Sequence, residues 1–500
     1  MSANRPEICR TGISGLDQIL HGGYPRHRLY MVQGDPGVGK TTLALQFLMA
    51  GAQAGEKGLY ITLSETRDEL LAVAVSHGWS LDAIEILELS TFENEALTES
   101  PNTLFHPSEV ELMQTVRLVQ ERVEYSGPSR VVIDSLSEFR LLAHDALHYR
   151  RQMLAFKQYF ARLGATVLLL DDHSSGESEL LVQSIAHGVI SLKRIVSEFG
   201  PERRQLSVVK LRGLKYENGA HDYSVVTGGL SVFPRLKVAG KTAPFPIQPL
   251  PSGIAELDDL LGGGGLERGT GSLIIGPAGA GKSTIAARFA VTAAERGERV
   301  AIFLFDENMH TYIRRATDLG MDIQTHIKSG LISIRHLDAA ELPPGEMAHM
   351  VCEMVEEENV KVVIVDSLNG YLNAMPEEKF LLLQLHELLA HLSQRGVASI
   401  LVMAQHGFLG EMHTPADLTY LADTVLLLRY FEYGGMLKKA ISVIKKRSGI
   451  HENSIREFGI RDSRLVVGEP LKDFRGVLKG VPQFVGGPEE MMSICREALN

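Results

Sequence analysis

The chain has 500 residues and carries 50 Lys and Arg against 61 Asp and Glu, so its formal net charge is −11. This length corresponds to two or three domains, and the acidic balance argues against a protein that coats nucleic acid with a uniformly basic surface. A hydrophobic content of 44% and a charged content of 22% are typical of a soluble globular protein. The apolar runs are far shorter than the roughly 18 residues that span a bilayer, so no membrane segment is expected.

The N-terminus and the cysteines indicate where the protein works. Residues 1–7 contain charges and a proline where a signal peptide has an apolar core, which predicts a cytoplasmic protein. The three cysteines show no CxxC spacing, so we expect neither a disulfide framework nor a zinc site.

Short apolar runs alternate with amphipathic segments along the first half of the chain. We predict strands at residues 29–33, 59–63, 131–134 and 166–170, and helices at residues 41–54 and 149–163. The strands are continuous runs of apolar residues without polar alternation, which favours strands buried on both faces of a parallel sheet. The predicted fold class is therefore α/β, with mainly parallel sheets flanked by helices.

The chain contains a long internal repeat. The segment from Gly12 to Asp17 (GISGLD) is answered by the segment from Gly253 to Asp258 (GIAELD), and three further segments recur later in the same order at nearly the same spacing. They are GDPGVGKT and GPAGAGKS, VVIDS and VIVDS, and KLRG and KKRS. This self-similarity predicts two tandem copies of one domain.

Proline spacing suggests where the copies meet. Several prolines follow one another closely before residue 252, and such a segment continues neither a helix nor a central strand. We therefore predict a first domain over residues 1–236, a linker over residues 237–252, a second domain over residues 253–463 and a C-terminal tail over residues 464–500.

Each copy has a glycine-rich GxxxxGK[ST] loop between a predicted strand and a predicted helix. In this pattern the backbone N–H groups and the lysine bind phosphate oxygens, and the hydroxyl after the lysine binds Mg²⁺. The residues are Gly34, Pro36, Gly37, Gly39, Lys40, Thr41 and Thr42 in the first copy, and Gly276, Gly279, Gly281, Lys282, Ser283 and Thr284 in the second. Two matches in register within a repeat predict that the protein binds ATP twice.

Two aspartates are candidate magnesium ligands. Asp134 and Asp366 each end an apolar strand at equivalent positions of the repeat, where a P-loop fold holds the metal. We therefore expect Mg²⁺ between Thr41 and Asp134 in the first copy and between Ser283 and Asp366 in the second.

Hydrolysis also needs a carboxylate near the attacking water. A serine follows each metal aspartate, so the base must come from elsewhere in the chain. The strand after each P-loop helix ends in an acidic residue, Glu65 in the first copy and Asp306 with Glu307 in the second. These are the candidate catalytic residues, and a helix N-cap role is the alternative for Glu65.

A Lys-x-Arg pair recurs late in each copy. Lys210 with Arg212 and Lys445 with Arg447 project to the same face of a predicted strand. They are either solvated edge residues or the cations that reach a γ-phosphate across a subunit interface.

Polar residues after another strand of each copy are candidates for sensing the γ-phosphate. Asp172 and His173 follow one such strand, and Gln405 and His406 follow its counterpart. Ordinary loop residues are the alternative.

The order of these motifs, duplicated over nearly the full chain, resembles the KaiC family of bacterial RecA-like ATPases. The resemblance implies two RecA-like domains, a homohexameric double ring that requires ATP, and nucleotides between neighbouring subunits. It implies that Lys210, Arg212, Lys445 and Arg447 act in trans, and that the partner is a KaiB-like or signalling protein. In the clock member, the first ring is a slow ATPase and the second is also a Ser/Thr autokinase and autophosphatase.

The chain departs from the clock pattern at several positions. Ser64 replaces a glutamate, which leaves Glu65 as the carboxylate of the first copy. Thr419 and Tyr420 stand at the neighbouring Ser-Thr phosphoacceptor positions, so Thr419 is the candidate acceptor, whereas a tyrosine requires a different distance to the γ-phosphate. The tail does not clearly resemble the regulatory tail of the clock protein, so a KaiA-type activator is not implied.

Two other functions remain open from the sequence. The first is a nucleotide-gated interaction scaffold with little turnover. The second is a DNA-handling motor of the recombinase or helicase kind, since a fold does not determine a function. Only clusters such as Arg150-Arg151 and Arg203-Arg204 offer a basic contact to DNA.

Overall fold

A computed structural model describes residues 6–89, 107–143, 146–172, 182–196, 202–237, 248–373, 378–405, 418–479 and 482–485. The chain divides into two compact units, Met1–Arg235 and Leu236–Asn500. Most of the predicted linker and the last part of the predicted tail lie outside the described residues, as do His173 and His406. Within the described ranges, no helix has both the length and the apolar character that crossing a membrane requires.

The first unit contains eleven described strands and six described helices. The strands are β1 (Ile8–Cys9), β2 (Tyr24–Pro25), β3 (Leu29–Gly34), β4 (Gly58–Thr62), β5 (Ile84–Glu88), β6 (Arg130–Asp134), β7 (Thr166–Asp172), β8 (Gly188–Ile195), β9 (Arg203–Leu211), β10 (Ala220–Val226) and β11 (Gly229–Phe233). The helices are α1 (Ser14–Ile19), α2 (Lys40–Gln53), α3 (Arg67–Ser76), α4 (Pro107–Ser126), α5 (Leu136–Leu142) and α6 (Ala146–Leu163).

Nine of these strands form one sheet in the order β11-β10-β9-β8-β3-β7-β6-β4-β5. The six strands from β8 to β5 are parallel, and β9, β10 and β11 continue the sheet in antiparallel pairs. Residues of both faces of β3, β4, β6 and β7 are buried, which explains their continuous apolar sequences. The carboxyl ends of the parallel strands lie along one edge, where parallel sheets bind ligands.

The second unit repeats this architecture. Its strands are β12 (Pro249–Leu250), β13 (Leu266–Glu267), β14 (Gly271–Gly276), β15 (Arg299–Leu304), β16 (Ile332–His336), β17 (Val360–Asp366), β18 (Ala398–Ala404), β19 (Thr424–Tyr433), β20 (Met436–Lys446), β21 (Arg456–Arg461), β22 (Arg464–Pro470), β23 (Phe474–Arg475) and β24 (Gln483–Phe484). Its helices are α7 (Ala255–Leu260), α8 (Lys282–Glu295), α9 (Met309–Asp318), α10 (Ile323–Lys328), α11 (Pro344–Glu356), α12 (Leu368–Asn373) and α13 (Glu378–Gln394), with a 3-10 turn at Val477–Lys479. The sheet order β16-β15-β17-β18-β14-β19-β20-β21-β22 matches that of the first unit strand for strand.

The second domain continues beyond the predicted boundary at residue 463. Strand β22 begins at Arg464, in the predicted tail, and pairs antiparallel with β21 as the ninth strand of the sheet. The next segment also packs on this unit, since the Phe474 ring contacts the rings of Phe431 and Tyr433 at centroid distances of 5.8 and 4.9 Å. Residues 464–470 and Phe474, which the sequence analysis placed in a tail, therefore pack with the second unit.

Candidate functional site

Both glycine-rich loops connect a central strand to a helix, β3 to α2 and β14 to α8. The residues before the two helices, Gly39 and Gly281, have φ angles of 96° and 109°, in the left-handed region that glycine adopts without strain. A Cβ atom on Gly276 would lie 2.6 Å from the Leu428 carbonyl oxygen, so only glycine fits at the start of the second loop. These loops have the strand, turn and helix arrangement expected of a P-loop.

The P-loop lysine of the first domain is held by carbonyls and by a carboxylate. Lys40 Nζ donates to the carbonyls of Gly34 and Asp35 at 2.7 and 3.1 Å. It also forms an ion pair of 2.8 Å with Asp172 Oδ1 at the end of β7. Asp172, a candidate γ-phosphate sensor from the sequence, therefore contacts the phosphate-binding lysine directly.

The second domain has a different lysine environment. Lys282 Nζ donates to the Pro277 carbonyl at 2.8 Å, and burial lowers the pKa of this lysine to about 8. Ala404 occupies the sheet position of Asp172, because it lies opposite Gly276 as Asp172 lies opposite Gly34. Gln405 follows it, and its side-chain oxygen is buried without a hydrogen-bond partner among the described residues.

The candidate metal ligand of the first domain, Asp134, lies at the end of β6. Asp134 Oδ2 accepts hydrogen bonds from Thr41 Oγ1 at 3.3 Å and from the Tyr60 hydroxyl at 2.5 Å. Burial raises the pKa of Asp134, and these hydrogen bonds together with the Lys40 charge oppose the rise. The structure thus brings the predicted pair of Thr41 and Asp134 together. The Tyr60 hydroxyl is an additional hydrogen-bond donor to this carboxylate.

The equivalent aspartate of the second domain is less well satisfied. Burial raises the pKa of Asp366 to about 6, although the Ser283 hydroxyl donates to this carboxylate. Asp366 Oδ2 is buried and has no hydrogen-bond partner in the part of the chain that the structure describes. The described residues contain no cluster of three or more His, Cys, Asp or Glu side chains that could hold a metal alone. Each domain instead offers one hydroxyl and one carboxylate.

Glu65 lies in the loop between β4 and α3. Its Oε2 atom is buried and has no hydrogen-bond partner among the residues described. Burial, assisted by the charges of Asp134 and Glu69, raises the pKa of Glu65 to about 7. The cap of α3 is formed by Thr66 and Glu69, whose backbone N–H groups each donate to the other residue's side chain. The alternative N-cap role of Glu65 is therefore filled by other residues.

The acidic pair of the second domain has partners. Asp306 accepts a hydrogen bond from the Ser367 hydroxyl. Glu307 Oε1 lies 2.6 Å from Arg315 Nη1, on helix α9. The carboxylate at the position of Glu65 is therefore ion-paired in this domain, because Arg315 replaces the residue equivalent to Val73.

The recurring cation pairs lie at the end of strands β9 and β20. Lys210 and Arg212 donate to the carbonyls of Gln183 and Ser184. In the second domain Lys445 Nζ donates to the Thr419 carbonyl at 2.7 Å, and Arg447 donates to the Tyr420 carbonyl at 2.7 Å. Each pair thus contacts the segment before β8 or β19, and the candidate acceptor Thr419 lies in this segment.

A cavity of about 720 Å³ lies beside the second P-loop. Its lining combines glycines of the loop with cationic side chains of neighbouring elements. Its lining includes Gly279, Gly281, His310, Arg314, Arg315 and Lys439. Its size and position suit a nucleotide bound at the loop.

The structure adds Tyr60 and Arg315 to the site residues that the sequence analysis singled out. A comparison of the two copies could have found them, because the copies differ at both positions. Ile302 is equivalent to Tyr60, and Val73 is equivalent to Arg315.

The duplicated sheet, the two P-loops and the aspartate ending the strand two places away define tandem P-loop ATPase domains of the RecA-like class. A family model described as "ATPase: KaiC" matches residues 9–237 and 250–472. The chain therefore belongs to the KaiC ATPase family, which confirms the resemblance and the fold class predicted from the sequence.

Clock proteins are among the relatives of the chain. The circadian clock protein KaiC3 of Synechocystis sp. is 26% identical over 97% of this chain and 96% of the relative. The circadian clock oscillator protein KaiC of Thermostichus vulcanus is 25% identical over 96% of this chain and 92% of the relative. The corresponding protein of Synechococcus elongatus is 25% identical over 95% and 91%.

Proposed function

We propose that both domains bind ATP with Mg²⁺ and hydrolyse it. The observation that carries this proposal is the convergence of three groups at one sheet edge of each domain: the P-loop, the strand-ending aspartate and the acidic residue after the next strand. Glu65 acts in the first domain, and Asp306 and Glu307 act in the second. The N–H groups of each loop, together with Lys40 or Lys282, bind the phosphates.

Magnesium fits the donors that each domain offers. Thr41 with Asp134, and Ser283 with Asp366, supply the hard oxygen ligands that this ion takes alongside phosphate oxygens. The buried, unpaired Oδ2 atom of Asp366 supports this fit, because a bound cation satisfies an orphaned carboxylate oxygen. When bound, the ion neutralises charge on the phosphates.

The carboxylate near the phosphates receives the proton of the attacking water. As the water oxygen bonds to the γ-phosphorus, the bond to the bridging oxygen breaks and ADP leaves. Glu65 suits this role because a base with a pKa of about 7 is deprotonated in half of the molecules at neutral pH and binds a proton readily.

We also propose a homohexameric ring in which neighbouring subunits complete each site. The family resemblance implies that each subunit contacts the nucleotide of its neighbour through two pairs of cations. These pairs are Lys210 with Arg212 and Lys445 with Arg447. Their position at the ends of strands β9 and β20 supports this role, in which Arg447 exchanges its 3.2 Å ion pair with Asp423 for the phosphate.

The second domain is a candidate autokinase, with Thr419 as acceptor. The contact of Lys445 Nζ with the Thr419 carbonyl supports this proposal, because the same lysine is the proposed phosphate contact. Transfer forms a bond between Thr419 Oγ1 and the γ-phosphorus, releases ADP, and passes the hydroxyl proton to a carboxylate base. Tyr420 is 54% exposed and carries the wrong side-chain length for the same geometry.

The names of the relatives support a role in a bacterial timing or signalling pathway in the cytoplasm. A KaiB-like or other signalling protein is the proposed partner. Nucleic acid is not proposed as a partner, because the chain carries a net charge of −11.

The proposal is tested by ATP hydrolysis and ³²P incorporation with Lys40→Ala, Lys282→Ala and the double variant. Each single variant is expected to retain the turnover of the other domain, and the double variant is expected to lose all turnover. Glu65→Gln and Glu307→Gln separate an ATPase from a scaffold, because a scaffold keeps assembly and partner binding without needing either carboxylate. Unchanged turnover in the double variant overturns the proposal.

A further inference from the structure

Arg315 occupies a position between the candidate base and the nucleotide cavity of the second domain. Its Nη1 atom lies 2.6 Å from Glu307 Oε1, and the two side chains are 33% and 23% exposed. Its Nη2 atom is buried and has no hydrogen-bond partner among the residues that the structure describes. The guanidinium is thus bound on one side and unsatisfied on the other.

The same side chain lines the cavity beside Gly279 and Gly281 of the P-loop. Its charge also acts on the buried carboxylate of Asp366 and stabilises the ionised form. Arg315 therefore lies beside the P-loop and within electrostatic reach of Asp366, although no motif of the sequence marks it.

The first domain lacks this interaction. Val73 takes the place of Arg315 on the equivalent helix, because α3 and α9 begin at equivalent residues and have the same length. The equivalent base, Glu65, has a buried oxygen without a partner in the described ranges. The substitution of Val73 by Arg315 thus accompanies the change from an unpaired carboxylate at Glu65 to an ion-paired one at Glu307.

We infer that Arg315 is a positioning residue that restrains Glu307 and slows ATP hydrolysis in the second domain relative to the first. The inference rests on the proposed function and adds a regulatory residue to it. A carboxylate oxygen that already accepts a charge-assisted hydrogen bond is a weaker acceptor for the proton of an attacking water. Hydrolysis then requires Glu307 to break its ion pair with Arg315. The Oε2 atom of Glu65 has no hydrogen bond to break in the described residues.

The experiment measures kcat and KM for ATP in a Lys40→Ala chain, which reports the second domain. Arg315→Val, which copies the first domain, is expected to raise kcat by roughly three- to tenfold with a smaller change in KM. Arg315→Lys keeps a cation beside Glu307 and is expected to retain the slow rate. Val73→Arg in a Lys282→Ala chain is the reciprocal test, and it is expected to lower kcat of the first domain by a similar factor.

Arg296→Val is the matched control, because Arg296 is 41% exposed, pairs with Glu298 and is not among the described residues that line the cavity. It is expected to leave kcat unchanged. If Arg315→Val binds nucleotide as tightly as the parent chain but shows an equal or lower kcat, the restraint is refuted and the ATPase proposal stands. If adding Lys282→Ala to the Lys40→Ala chain does not lower its turnover, the second domain does not hydrolyse ATP. The proposed function of this domain then fails, and the inference fails with it.

Discussion

Lys40 Nζ lies 2.8 Å from Asp172 Oδ1, so the P-loop lysine of the first domain is ion-paired with a carboxylate of the neighbouring strand. The second domain has Ala404 at that position, and Lys282 binds a carbonyl instead. A triphosphate that binds to Lys40 in the first domain must first displace Asp172 from the ion pair. The two nucleotide sites of one chain therefore differ in what a phosphate has to displace.

Asp172→Asn is expected to strengthen nucleotide binding in the first domain by roughly three- to tenfold, because the phosphates then meet neither a competing nor a repelling carboxylate. The measurement is a titration of a fluorescent ATP analogue in a Lys282→Ala chain. Ala404→Asp in a Lys40→Ala chain is the reciprocal variant, and it is expected to weaken binding in the second domain. Equal affinities in parent and Asp172→Asn chains contradict this prediction.

Turnover in the first domain is expected to fall as the pH is lowered through about 7. Burial raises the pKa of Glu65 to about 7, and only the ionised carboxylate accepts a proton from water. The rate therefore rises from pH 5.5 to a plateau near pH 8 in a Lys282→Ala chain assayed over that range. Glu65→Gln is expected to remove both most of the turnover and this midpoint. A rate that does not change between pH 5.5 and 8 would show that the carboxyl group is not desolvated during turnover.

Tyr60→Phe is expected to raise the Mg²⁺ concentration for half-maximal turnover of the first domain by roughly tenfold. The hydroxyl of Tyr60 donates to Asp134 Oδ2 and fixes the orientation of this carboxylate. Tyr30→Phe is the control, because the equally buried Tyr30 hydroxyl donates to the Pro25 carbonyl and not to the metal aspartate. The prediction is contradicted if both variants require the same Mg²⁺ concentration.

Arg130→Ala is expected to destabilise the first unit by about 1.5–3 kcal/mol, because it removes charge-assisted hydrogen bonds to Glu56 and to the Phe47 carbonyl, while Glu56 keeps Arg26 as its other partner. Arg130 is 2% exposed, pairs with Glu56 and donates to the Phe47 carbonyl at 2.6 Å. Chemical denaturation is expected to show an earlier unfolding transition for this unit. Arg117→Ala removes an exposed pair with Glu121 and is expected to shift the transition little. Equal shifts for both variants contradict the buried role of Arg130.

The strands and helices predicted for the first half agree closely with the structure. The predicted strand at residues 29–33 is Leu29–Gly34, and the helix predicted at 41–54 is Lys40–Gln53. Strand β22 was missed because its sequence, RLVVGEP, has one short apolar run followed by glycine and proline, although it is the counterpart of β11 in the first unit. Its place in the sheet depends on pairing with β21, an interaction that the local sequence does not encode.

The sequence by itself determined the duplication, the two glycine-rich loops and the aspartates that end β6 and β17, because each is a contiguous pattern of particular residues at a set spacing. Tertiary structure decided which side chains meet: Asp172 with Lys40, Tyr60 with Asp134, and Arg315 with Glu307. The residues of the first two pairs lie on strands or loops far apart in sequence, and strand order and register bring them together. In the third, the turn from β15 into α9 brings Arg315 back to Glu307. These contacts make two nearly identical loops into chemically different sites.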